Sequence, residues 1–167
     1  MSVPSLRQRY QRLFQFDLWS NRKLLNLVEK EGEFRDRTAC LAFVSHIVNV
    51  QEIWYYDVLN RSEERLAMLW DEYPVDELRQ RCTQWNRRWV DLIGDHEVDL
   101  ETRLRWETFE GTPVSMTLTG VLNHLIVHGQ HHRAQVGLFL KKSGVASPGF
   151  DYFSYTRKPD DPMMSPD

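Results

Sequence analysis

Asn123-His124-Leu125-Ile126-Val127-His128-Gly129-Gln130-His131-His132-Arg133 sets four of the chain's six histidines in a stretch that otherwise reads as an apolar helix. Imidazole has little bland reason to accumulate there, so the stretch reads as half of a metal site carried by a core helix. His128 and His132 are four residues apart, one turn apart on one face, the spacing at which two imidazoles of a single helix share a cation. On a wheel of about 100° per residue with His128 at zero, Leu118, Val121, Leu125, Val136 and Phe139 fall between roughly 20° and 80°, and His132 falls near 40°. His124 and His131 land on the flank, where partial exposure is expected. A single buried histidine is more often satisfied by a hydrogen bond than by a metal. Two on one buried face are harder to explain that way.

The helix that carries this stretch runs from about Thr117 to Lys142. A hydroxyl residue is available as its N-cap, Lys141 and Lys142 lie in its last turn, and Gly144 stands just beyond. Upstream, Leu6, Tyr10, Leu13, Phe14, Leu18, Leu24, Leu25 and Val28 keep a three-four spacing that predicts a helix from about Ser5 to Glu31, stopped by Gly32. A second helix is predicted over about Leu41 to Asn60. A third follows Pro74, which suits a first turn, and carries Val75, Leu78, Cys82, Trp85, Trp89 and Leu92 to Gly94. Arg103-Leu104-Arg105-Trp106-Glu107-Thr108-Phe109 alternates polar with apolar, and Glu110-Gly111-Thr112-Pro113 reads as a turn, so a short hairpin or extended excursion precedes the last long helix. Four long helices in a chain of 167 residues predict an all-α four-helix bundle. One domain is expected over residues 1–157, with 158–167 fraying as a polar, proline-containing tail.

Composition narrows the function. Twenty-one basic and 24 acidic residues are interleaved to a net charge of −3, which leaves no basic stripe to follow a phosphate backbone, so nucleic acid is not expected as a partner. No stretch approaches the roughly 18 apolar residues of a membrane span, and the N-terminus lacks the apolar core of a signal peptide. A cytoplasmic protein without membrane contact is expected. Cys40 and Cys82 are isolated, which fits reduced thiols and neither a disulfide framework nor a thiolate zinc site.

A third ligand must come from another helix. On the second, Phe43, Ile47, Val50 and Trp54 form the apolar stripe, and His46 sits at its edge within reach of the interior. Cys40 lies at the helix start, and Asp57 lies three turns further on, too distant at ~1.5 Å per residue. His46 therefore ranks first. Three imidazoles from two helices suit Zn²⁺, Ni²⁺ or another borderline divalent ion, with at least one coordination position left open. Water or a thiol entering that position would be held deprotonated or nearly so, ready to attack an electrophile.

Three separated segments resemble the DinB/YfiT-like family of metalloenzymes. Phe16-Asp17-Leu18-Trp19-Ser20-Asn21-Arg22-Lys23-Leu24-Leu25 is similar to that family's opening helix. His46-Ile47-Val48, followed by Glu52-Ile53-Trp54, is similar to its second-helix segment, and His128-Gly129-Gln130-His131-His132-Arg133-Ala134-Gln135 resembles its HxxxH stretch, with Ala134 in place of the common glycine. The resemblance implies a four-helix bundle, frequently a homodimer, and a metal held by His46, His128 and His132. Characterised relatives include metal-dependent transferases that use a low-molecular-weight thiol such as bacillithiol, mycothiol or glutathione, and a thiol-dependent isomerase.

Neighbouring residues carry weaker signals. Arg133 could bind a carboxylate or phosphate bidentately, but beside a polar flank a solvated arginine is expected. His124, His131 and Asn49 have no assigned role. The six tryptophans are expected mainly in the core, and the aromatic segment Phe150 to Tyr155 is expected to pack over the bundle. Two functions fit: a metal-dependent transferase that activates a small thiol or water against an electrophilic small molecule, and a non-catalytic, stress-associated bundle in which the ion is structural.

Overall fold

The computed structural model describes residues 3–107 and 112–157. Helix α1 spans Leu6–Glu31, opened by a capping box in which Ser5 and Gln8 satisfy each other's backbone amides. It is closed by Gly32 at φ 65°, a left-handed conformation that a Cβ would strain. Helix α2 spans Arg37–Val58, four residues ahead of the expected start. The extra turn opens with Arg37 and Thr38, ahead of the apolar stripe that set the expected start, and its N-cap Asp36 makes no side-chain cap bond. Helix α3 spans Val75–Gly94 behind Pro74, and α4 spans Leu118–Lys142 with the Thr117 hydroxyl accepting from the Gly120 amide. The expected hairpin is present as β1, Arg103–Glu107, paired antiparallel with β2, Pro113–Thr117, with Leu104 opposite Met116. Glu110 and Gly111 of the expected turn lie outside the described residues, as does the tail at 158–167, while Pro113 opens β2. A last short helix, α5, spans Tyr152–Thr156.

The four long helices form a ring in the order α1, α3, α2, α4, each packed on its neighbours. Their apolar side chains divide into two layers. One gathers Leu24, Val28, Val44, Leu78, Trp85, Val136 and Leu140; the other gathers Phe14, Val50, Trp89, Ile93, Leu122 and Leu125. Along α1 and α4 the residues between these layers are polar: Asp17 and Asn21 on α1, and His128, Gly129, His132 and Arg133 on α4. The sequence periodicity mapped the two layers well, Leu6 excepted, which is exposed at the start of α1. Tyr155 of α5 is buried against Phe16 and Trp19 of α1, so the C-terminal aromatic segment packs over the bundle. No helix among the described residues is long and apolar enough to cross a membrane.

Candidate metal centre

His46 on α2 and His128 and His132 on α4 come together at the polar waist, their ligand atoms all within 4.8 Å of one another. His46 is buried, while His128 and His132 are half-buried, so the cluster is reached from one side. His124 and His131 are exposed on the flank, where the helical wheel put them. Cys40 is fully buried and lies outside the cluster. Its thiol is pushed up to about 11 by burial and then by Asp36, which makes it a poor source of thiolate. Asp57 is engaged at the end of α2 by the Ser62 hydroxyl and Arg65.

Hydrogen bonds to ring nitrogens decide which lone pairs are free. The carbonyl oxygen of Leu69 lies 2.7 Å from His46 Nδ1 and can only accept, so Nδ1 carries the proton and Nε2 of the neutral ring is bare. On His132, Nδ1 lies 2.6 Å from Gln135 Oε1, which by the same reasoning leaves Nε2 bare. His132 Nε2 and His128 Nε2 face each other at 3.1 Å. Two nitrogens at ~2.0–2.1 Å from one zinc stand roughly 2.9 to 3.4 Å apart between square and tetrahedral angles. The 3.1 Å separation is therefore that of two nitrogens sharing either one proton or one cation.

The electrostatics disfavour protonated rings. Burial, reinforced by repulsion from His132, His46, His124 and His131, pushes His128 down to about 3. His132 and His124 are lowered as well, chiefly by burial. A cluster that holds its imidazoles neutral keeps lone pairs available for coordination at neutral pH. The donor set thus fits a borderline divalent ion: three nitrogens, no competing carboxylate among the described residues, and an open side. Aromatic rings brace it. Trp70 lies flat on His46 at 4.0 Å and 9°, and Phe43 stacks on His132 at 5.4 Å.

Behind the histidines lies a second polar cluster. Arg133, expected in solvent, is fully buried. Its Nη1 donates to Asp17 Oδ1 at 2.5 Å and to Asn21 Oδ1 at 3.0 Å. Gln51 Nε2 donates to the other Asp17 oxygen at 2.7 Å, and Asn21 Nδ2 donates to it at 3.3 Å. The solvated reading failed because Asp17 lies 116 residues away in sequence, and only folding shows that an acid awaits the guanidinium. One sequence signal was available: Gly129, in mid-helix one turn before Arg133, where glycine is unfavourable by about 1 kcal/mol relative to alanine. A Cβ there would stand 2.8 Å from Asp17 Oδ1. The glycine lets the carboxylate approach the helix. Of the tryptophans, Trp19, Trp85 and Trp89 are buried as expected, but Trp70 is 56% exposed where it covers the His46 ring.

Fold and site together define a helical bundle with a three-histidine cluster that could hold a metal ion. The DinB family model matches residues 1–161, and the chain belongs to that family. It is similar to Protein DinB of Bacillus subtilis (strain 168), at 19% identity over 158 residues that cover 86% of this chain and 91% of the relative. No solved structure matches it significantly.

Proposed function

We propose that the protein is a divalent-metal-dependent transferase in which His46, His128 and His132 hold the ion, and a small thiol or water on its open side attacks an electrophilic small molecule. The observation that carries this reading is the pair of bare Nε2 atoms on His46 and His132, each fixed by a hydrogen bond to the opposite ring nitrogen, converging with His128 on a half-exposed space. A bound zinc or nickel ion supplies Lewis acidity, which lowers the pKa of a coordinated thiol or water. The protein's own residues do the rest. Leu69 and Gln135 fix the rings in the coordinating tautomer. Trp70 and Phe43 flank two of the rings and exclude water on their sides. Among the described residues no carboxylate belongs to the cluster, so no side chain there is placed as general base, and a bound ion would have to supply the acidity that lets the nucleophile lose its proton.

Elemental mass spectrometry of freshly purified wild type beside His128→Ala tests the reading. The expected result is near one equivalent of a first-row metal per chain, lost in the variant, and metal-dependent transfer of a low-molecular-weight thiol to an electrophile such as a haloalkane or epoxide. No metal in either protein defeats the reading. Metal bound without any transfer, with the fold collapsing on chelation, would make the ion a helix staple instead.

A further inference from the structure

On the side of α2 away from the apolar layers, His46, Asn49 and Glu52 recur every third residue, and all three are buried. Each holds the same short stretch of the segment between α2 and α3. His46 Nδ1 donates to the Leu69 carbonyl at 2.7 Å, and Asn49 Nδ2 donates to the Asp71 carbonyl at 2.8 Å. Glu52 Oε1 accepts from the Leu66 and Ala67 amides at 2.9 and 3.0 Å. The stretch also closes on itself, the Met68 amide donating to the Asp71 carboxylate at 2.8 Å. Glu52 is in turn anchored from α3, its Oε2 accepting from Arg81 Nη2 at 2.5 Å, while the Arg81 guanidinium lies 4.1 Å above the Tyr73 ring.

A carboxylate that is 2% exposed and bound by an arginine and two amides has its oxygens satisfied. What it fixes is the turn that supplies the Leu69 carbonyl and lays Trp70 on the His46 ring. Resting on the three-histidine reading above, we propose that Glu52 is a positioning residue for the metal, which acts with Arg81 through the 66–71 turn to set the tautomer and orientation of His46. Outer partners of metal-bound histidines are typically worth 10–100-fold in affinity. Glu52 stands one step beyond such a partner, so its effect falls at the lower end of that range.

The test is a Co²⁺ titration of the full chain, followed by the visible absorption of the bound ion, for wild type, Glu52→Gln, Glu52→Leu, His46→Ala and the double variant Glu52→Leu/His46→Ala, with urea unfolding of each apo protein beside it. Glutamine keeps an acceptor for the two amides and should bind within about threefold of wild type, whereas Glu52→Leu should lose about tenfold and show an altered spectrum. In the His46→Ala background the same Glu52→Leu change should cause no further loss, since Glu52 acts only through that ring. An equal loss in both backgrounds, tracking the apo stability, would make Glu52 merely structural and overturn the proposal. So would an unchanged affinity in Glu52→Leu. Failure of the three-histidine reading would appear separately, as His46→Ala binding like wild type.

Discussion

Helix α4 presents two polar clusters on adjacent faces, one residue out of step, and they have opposite character. Gly129 and Arg133 face α1, where the guanidinium is fully buried and the Asp17 carboxylate accepts from Arg133, Asn21 and Gln51. His128 and His132 face α2, where ring nitrogens of neutral imidazoles confront one another at 3.1 Å. The first cluster is closed to further partners, and the second holds lone pairs in excess of protons. Burial alone does not separate the two, because the more deeply buried cluster is the one whose polar groups are matched to one another. Saturation of donors by acceptors separates them.

The strongest challenge to that division is Arg133→Ala. It leaves Asp17 as an uncompensated buried charge and should lower the unfolding free energy by about 3–5 kcal/mol in urea titrations, while any folded protein still takes up one metal equivalent, at reduced affinity because α4 is less firmly indexed. Loss of metal at unchanged stability would break the comparison. Gly129→Ala should act on the same cluster more mildly: helix propensity gains about 1 kcal/mol, but the new methyl must displace Asp17 Oδ1 from 2.8 Å, for a net loss of about 1–2 kcal/mol.

The smallest effect belongs to the open cluster and to pH. His128 is lowered to about 3 and His132 and His124 are lowered too, so the unfolded chain takes up protons near pH 6.5 that the folded chain refuses. Protons therefore favour unfolding. Apo stability should be flat above about pH 7 and decline as pH falls through 6.5 toward 3, by less than about 1 kcal/mol per pH unit, because water screens half-exposed rings. Thermal melts of the apo protein from pH 7.5 to 5 should show this slope, flattened in His128→Ala; a metal-loaded sample should release its ion over the same acidic range.

The fold was legible wherever a helix carried its own punctuation. Ser5, Gly32, Pro74, Gly94 and Thr117 gave the bounds of three helices almost to the residue, whereas α2, entered through Arg37 without a side-chain cap, was read four residues late. The histidines were legible because a ligand pair on one helix has a spacing. Arg133 was not, since its acid is brought from α1 only by folding, and a lone arginine beside polar residues resembles a surface one. The 66–71 turn was less legible still: what it offers His46 is a backbone carbonyl, which every residue has and no side-chain pattern marks.

Gly129 also bears on the order in which the site comes into being. With no side chain between them, the Asp17 carboxylate meets α4 at one azimuth, and a rotation of the helix by a single residue would put His128 or Gln130 against the acid instead. The Arg133 and Asp17 contact thus acts as a key in a slot, indexing α4 about its own axis before any ligand arrives. His128 and His132 are aimed at His46 by a lock that lies on the far side of the helix, so the entropy of orienting two of the three rings is spent during folding and not at the moment of binding.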